Sequence, residues 1–133
     1  GRVKKDASGN PVLDAKGQKV SIPGSLQAVK AMGVLLEARN IAQVSINLVN
    51  YNITPPHTAF EEVRRQAASL GVKVTGSEIV GLTPMEALLM AGRFYDAGVS
   101  DEMKLIELAI EKLGLSRLDE FDPKKKIIEY QLE

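Results

Sequence analysis

A strict alternation of apolar and polar side chains runs through Ala42-Gln43-Val44-Ser45-Ile46-Asn47-Leu48. Successive side chains of a β-strand point to opposite faces, so this period of two residues predicts a strand. One face carries the apolar members and the other carries the polar members: Val44, Ile46 and Leu48 against Gln43, Ser45 and Asn47. The polar face contains no charged residue and suits recognition of a heterocycle edge or an amide, although an ordinary solvated face has the same pattern.

A helix and a second strand are predicted to follow. Thr54-Pro55-Pro56 combines an N-cap residue with proline at the first helical position, and Gly71 ends the helical spacing of apolar residues. The apolar residues of the segment 72–82 then indicate a strand, with a bulge or close approach at Gly76. Strand, helix and strand over residues 42–82 predict a βαβ unit with parallel strands and a right-handed crossover.

Three further elements complete the predicted fold. Thr83-Pro84-Met85-Glu86 has the form of a capping box that opens a helix to about Ala97, and Ser100-Asp101-Glu102 caps another helix that Gly114 closes. Residues 126–132 are predicted to form a last strand. The fold class is therefore α/β. We expect an α+β-like sandwich, similar to a ferredoxin-like fold, in which helices cover a small mixed sheet. Residues 26–39 fit helical spacing and a buried strand, and propensity favours the helix.

Composition restricts the classes of function. The 17 Lys and Arg residues balance 17 Asp and Glu residues, so no overall field attracts nucleic acid or a membrane surface. Absence of cysteine excludes thiol catalysis and cysteine-ligated zinc, and we expect a cytoplasmic protein. The chain opens Gly1-Arg2 without Met, which suggests a piece of a longer protein.

The segment 75–81 carries polar groups where a strand is usually apolar, and the residues concerned are Thr75, Gly76, Ser77, Glu78 and Gly81. Buried polar groups need partners, and glycine permits close approach of backbone or ligand. We therefore expect a pocket wall here. A buried Glu78 would face a ligand or a partner, and the alternative is a surface carboxylate at a strand end.

His57 is the single histidine and lies near the start of the first helix. The positive end of the helix dipole favours a neutral imidazole there. His57 could line a pocket, pack against its neighbours or act in catalysis. The sequence supports catalysis least. The sequence has no zinc-ligand spacing, phosphate loop or nucleophile elbow, and thus predicts no metal site and no complete catalytic set.

Four motifs resemble the C-terminal subdomain of the glutamate formimidoyltransferases: Ala42-Gln43-Val44-Ser45-Ile46-Asn47-Leu48, Thr54-Pro55-Pro56-His57-Thr58-Ala59-Phe60, Val74-Thr75-Gly76-Ser77-Glu78-Ile79-Val80-Gly81-Leu82 and Lys126-Ile127-Ile128-Glu129-Tyr130. Residues 1–25 are rich in turn signals, such as Ser8-Gly9-Asn10-Pro11 and Lys16-Gly17-Gln18-Lys19, and are expected to be an exposed loop or hairpin arm. The resemblance covers residues 26–133. It also implies that residues 26–39 form a strand, paired through a turn at Asn40 with the next strand.

The resemblance implies transfer of a formimidoyl group between N-formimidoyl-glutamate and tetrahydrofolate, in histidine degradation and one-carbon metabolism. It implies a folate cleft between this half and an N-terminal subdomain that carries the catalytic histidine, so this half alone is expected to be inactive. The family's motifs fall on residues 43–48 and 76–81, and together with the reasoning above they give the candidate folate or substrate contacts: Gln43, Ser45, Asn47, His57, Thr75, Gly76, Ser77, Glu78 and Gly81. A non-enzymatic α/β module for ligand binding or dimerisation is the alternative, and a subdomain without its partner would expose an apolar patch that invites a homodimer.

Overall fold

The computed structural model describes residues 1–132 and contains four strands and four α-helices in that range. The strands are β1 (Arg2–Val3), β2 (Ser21–Ile22), β3 (Val29–Leu36) and β4 (Ile41–Leu48). The helices are α1 (Pro56–Ser69), α2 (Met85–Tyr95), α3 (Glu102–Lys112) and α4 (Pro123–Lys126), with 3₁₀ turns at Glu37–Arg39 and Ile128–Gln131. The α/β fold class is confirmed.

Strands β3 and β4 form an antiparallel hairpin in which Val29 pairs with Leu48 and Leu36 pairs with Ile41. The chain reverses through the 3₁₀ turn and Asn40, which has φ 49° and ψ 42°. Asparagine tolerates this left-handed conformation better than most residues. The strand predicted from alternation is confirmed, and so is the hairpin implied by the resemblance. The helix that propensity favoured over residues 26–39 is wrong.

The core lies between α2 and α3 and is completed by the C-terminal segment. The largest fully buried side chains are Leu88, Leu105 and Ile127. A Cβ at Gly92 would lie 2.4 Å from the backbone oxygen of Leu105, so a glycine is what allows α2 and α3 to approach this closely. Helix α1 packs beside α2, whereas the hairpin packs mainly on itself and makes only marginal contacts with the helices in residues 1–132.

The predicted βαβ unit is wrong for the described part of the chain. Residues 72–82 are irregular, and the two sheets are separate two-stranded antiparallel ladders with no mixed sheet. The segment instead bonds to the end of α3, where the backbone N–H of Ser77 donates to Gly114 O at 3.1 Å. This bond links the segment to a distant part of the chain, and no neighbouring strand pairs with it.

The predicted last strand at residues 126–132 is also wrong. Asp122 accepts a hydrogen bond from Lys124 N at 3.0 Å, and Pro123 occupies the first helical position, so a helical turn begins where the strand was expected. One parallel bridge remains, between Thr83 and Ile127. It joins the end of the irregular segment to the C-terminal segment.

Neither Thr-Pro motif caps its helix through the threonine. The Thr54 hydroxyl donates to Gln27 O at 2.6 Å and so ties the start of α1 to the base of the hairpin. At α2, the Glu129 carboxylate accepts from Met85 N at 2.8 Å, in the place of the predicted capping box. The predicted cap of α3 is confirmed, because Asp101 accepts from Lys104 N at 2.9 Å.

Residues 1–25 form two consecutive turns of the same kind between β1 and β2. Asp6 accepts from the backbone N–H groups of Ser8 and Asn10, both at 2.9 Å. Asp14 repeats the pattern with residues 16 and 18. Self-bonded Asx turns explain how a segment with almost no buried side chain holds a defined shape. The domain boundary at residue 25 stays a prediction.

Candidate functional site

The predicted polar face is present on the hairpin. Register places Gln43 opposite Val34, Ser45 opposite Met32, and Asn47 opposite Lys30. Directly opposed residues of an antiparallel pair share a face, so two amides, a hydroxyl and an ammonium group line one side of the sheet. The same side also carries four apolar side chains, which are Met32, Val34, Leu36 and Ile41. Ser45 and Asn47 are exposed, and Gln43 is half-buried.

Lys30 is a candidate site residue that the sequence did not identify. It lies 17 positions before Asn47, and only the register of β3 against β4 brings the two together. The middle of the hairpin bears an open depression of about 230 Å³, lined by Lys30, Ala31, Met32, Ser45, Ile46 and Asn47. Two of the predicted residues and the one cation therefore lie around one concave surface.

The opposite face of the hairpin is wholly apolar. Its four cross-strand pairs are Val29–Leu48, Ala31–Ile46, Gly33–Val44 and Leu35–Ala42. Leu35 is 65% exposed and Val44 is 48% exposed. A contiguous apolar sheet face in water is typical of a surface that another element covers. We call it the apolar hairpin face.

The segment 75–81 is held against the C-terminal end of α3. The Ser77 hydroxyl donates to Leu113 O at 2.5 Å. A Cβ at Gly76 would lie 2.6 Å from Arg117 Cβ and 3.0 Å from Gly114 O. The close approach predicted at Gly76 is therefore present, and the neighbour is the loop that follows α3 in the same chain.

The other members of this segment face solvent. Glu78 and Thr75 are exposed and form no hydrogen bond to residues 1–132. Gly81 has φ +78° with open space around it, so its glycine is required by backbone conformation and not by a close neighbour. Residues 72–82 form no strand beside β4, so the predicted βαβ unit does not bring Glu78 next to the polar strand face.

His57 lies in the first turn of α1 and does not line the depression on the hairpin. It is only 9% exposed, and its ring stacks on Phe94 of α2 with centroids 4.4 Å apart and planes at 18°. Its Nδ1 is buried and has no hydrogen-bond partner in the described residues. Burial lowers the pKa of His57 below its ordinary value of 6.5, against a smaller opposing effect of Glu61. The sequence analysis expected a neutral ring because of the helix dipole, whereas burial is the largest cause that favours the neutral form in the structure.

Within residues 1–132, no group of three His, Cys, Asp or Glu side chains has the arrangement of a metal site. None of the helices in the same range has the length and apolar character needed to cross a membrane.

The class of protein follows from comparison with known families. Residues 4–133 match the family model described as "Formiminotransferase domain". The chain belongs to the formiminotransferase family, and the resemblance seen in its motifs is confirmed.

The similar proteins are formimidoyltransferase-cyclodeaminases and glutamate formimidoyltransferases. The chain is 49% identical over 115 residues to the formimidoyltransferase-cyclodeaminase of Dictyostelium discoideum, a match that covers 84% of this chain and 21% of that protein. The mouse formimidoyltransferase-cyclodeaminase is 45% identical over 122 residues, with 89% and 23% covered. The glutamate formimidoyltransferase of Thermoplasma acidophilum is 41% identical over 90 residues, with 67% and 30% covered. The chain thus spans less than a third of the length of these relatives.

Proposed function

We propose that this chain is the folate-binding half of a glutamate formimidoyltransferase, the enzyme that transfers a formimidoyl group between N-formimidoyl-glutamate and tetrahydrofolate. The observation that carries the proposal is the family match over residues 4–133 together with a polar surface that forms only part of a pocket. Tetrahydrofolate is a co-substrate here, and the cytoplasmic location stays a prediction.

The size of the depression supports the idea of a half-site. Pockets that hold small molecules generally enclose about 300–1,000 Å³. The open volume of about 230 Å³ on the hairpin lies below that range. We infer that a second wall of the pocket comes from outside residues 1–132.

The chemistry of the polar face matches the proposed substrates. Amide groups such as those of Gln43 and Asn47 offer paired donors and acceptors to a pterin edge. The Lys30 ammonium group is a partner for the carboxylates that folate and N-formimidoyl-glutamate both carry. Ser77 is unsuited to this role because its hydroxyl donates to Leu113 O.

The position of the single histidine supports the proposal that the chain alone is inactive. Formimidoyl transfer needs a proton delivered to the departing amine, and His57 is the only histidine. Its Nδ1 is buried, and its ring lies between α1 and α2 and does not line the depression on the hairpin. General acid–base catalysis is therefore assigned to the N-terminal subdomain.

The apolar hairpin face is the proposed docking surface for that subdomain, which must also reach around an edge of the two-stranded sheet to supply the second wall of the pocket on the polar face. The apolar hairpin face is uncharged and mostly exposed, and the hairpin makes only marginal contacts with the helices of the described residues. A second copy of the chain is the alternative occupant, which would give a homodimer and agrees with a binding or dimerisation module. Sedimentation velocity of the chain with and without the N-terminal half separates the two: the proposal predicts a 1:1 complex, and a homodimer that persists after mixing opposes it.

The binding role is tested by titrating the chain with tetrahydrofolate. We expect weak binding, and a loss of about 1–3 kcal/mol on Lys30→Gln because a charged partner is removed. Lys16→Gln is the matched control, since Lys16 is exposed in the N-terminal arm. Equal affinities for the two variants would contradict a folate site on the hairpin.

A further inference from the structure

We propose that His57 is a pH-sensitive latch that holds α1, and with it the hairpin, against α2. The latch is closed while the imidazole is neutral, and it opens when the ring is protonated. This inference concerns the motion of the two halves of the chain. It does not depend on which ligand the hairpin binds.

His57 lies at the junction between α1, which is tied to the hairpin, and α2. Thr54, three residues earlier, donates to Gln27 O at the base of the hairpin, and Val49 N donates to Ala28 O at 2.9 Å. The start of α1 is thus tied to the hairpin. Within residues 1–132, α2 is the only other helix with which α1 makes more than marginal contact. Whatever loosens α1 from α2 frees the hairpin as well.

Few polar interactions cross this junction. The Tyr95 hydroxyl donates to Glu61 at 2.7 Å, and Arg39 pairs with Asp119 at 3.7 Å. The second pair is exposed on both sides, and exposed ion pairs contribute little to stability.

Apolar packing crosses the junction as well. Ala59 of α1 is buried, and Phe60 packs against the core between α2 and α3. The stack of His57 on Phe94 adds to this packing and is the contact that protonation of the histidine would change.

Protonation would act directly on that stack. A cationic ring at this place needs hydration, but its Nδ1 is buried without a partner. The groups that act on His57 are Glu61 from its own helix, and through Glu61 the Tyr95 hydroxyl of α2 and the Arg64 guanidinium. Glu61 would favour the cation, but burial has the larger effect on the pKa of His57. Phe94 is 58% exposed and can move aside.

The sign of the pH effect follows from the lowered pKa of the docked ring. An open state with the ordinary pKa of 6.5 binds the proton more readily, so docking is strongest above pH 6.5 and weakens as pH falls below it. A docked ring that stays neutral to pH 5.5 makes the open population about tenfold larger than at pH 7.5. A smaller difference between the two pKa values gives a smaller factor.

The test uses the fact that the chain has one histidine. Its Hε1 resonance in the folded 133-residue chain should titrate with a midpoint below 6.5, and that of the urea-unfolded chain at about 6.5. Amide exchange in residues 57–63, corrected for intrinsic rates, should rise several-fold between pH 7.5 and 5.5. Exchange in residues 88–109 should not rise with it.

His57→Phe is the matched variant, because it keeps an aromatic ring against Phe94 and cannot be protonated. It should remove the extra exchange of α1 at low pH. A folded-state midpoint at or above 6.5 would overturn the proposal, as would equal pH dependence in the wild type and His57→Phe. The NMR midpoint is read on the wild-type chain and stays decisive if the variant does not fold.

Discussion

Substitution of Gly76 by alanine tests whether the segment 75–81 is fixed by its contact with the loop after α3. The added Cβ would lie 2.6 Å from Arg117 Cβ and 3.0 Å from Gly114 O. Carbon atoms do not approach to 2.6 Å, so one of the two backbones must move. The segment cannot move freely, because Ser77 donates to Leu113 O through its hydroxyl and to Gly114 O through its N–H.

Overpacking of this kind costs roughly 1–3 kcal/mol. The expected fall in Tm is about 4–12 °C, at about 4 °C for each kcal/mol in a domain of this size. Thermal unfolding followed by far-UV circular dichroism and urea unfolding both measure it. Gly33→Ala is the control, since a Cβ there meets nothing within 4 Å and the strand backbone is ordinary. Equal stability of Gly76→Ala and Gly33→Ala would refute the reasoning.

Three further changes probe the same framework through urea unfolding. Ser77→Ala removes the bond to Leu113 O and should cost about 1–2 kcal/mol, because the carbonyl loses its partly buried donor. Glu129→Gln weakens the acceptor of Met85 N at the start of α2 and should cost about 0.5–1 kcal/mol. Gly81→Ala should cost about 1–2 kcal/mol through backbone strain at φ +78°.

Matched controls isolate each mechanism. Ser45→Ala removes an exposed hydroxyl and Glu120→Gln neutralises an exposed carboxylate, so both should leave stability within about 0.5 kcal/mol of the wild type. If Ser77→Ala or Glu129→Gln falls in that same range, the corresponding anchor is absent in solution. An unchanged Gly81→Ala would show that residue 81 adopts a negative φ.

The hairpin was predictable because local signals agree there. Alternation fixed the faces of β4, and Asn40 suited the left-handed turn that joins it to β3. The N-cap of α3 at Asp101 was likewise predictable from the local sequence. These features depend on residues that are neighbours along the chain.

The features that failed depend on partners far away in sequence. Residues 72–82 have the composition of a strand, but Ser77 bonds to Leu113, 36 positions later. Thr54 has the form of an N-cap, but its hydroxyl donates to Gln27, 27 positions earlier. At the C-terminal segment, the turn begun by Asp122 overrode the β-branched residues that follow it.

The candidate site was predictable in part for the same reason. Ser45 and Asn47 were visible from alternation, and both line the depression on the hairpin. Lys30 became visible only with the register of the two strands. The neighbour of Gly76 was unpredictable as well, because a glycine shows that something approaches closely and not what it is.

The most direct test of the central claim is formation of formimidoyl-tetrahydrofolate from N-formimidoyl-glutamate and tetrahydrofolate, measured for this chain alone and after mixing with the N-terminal half of a family member. The proposed half-site predicts no turnover by the chain alone and measurable turnover by the mixture, which Lys30→Gln should reduce. Turnover by the chain alone, or a mixture with no activity although the two halves form a complex, would contradict the assignment.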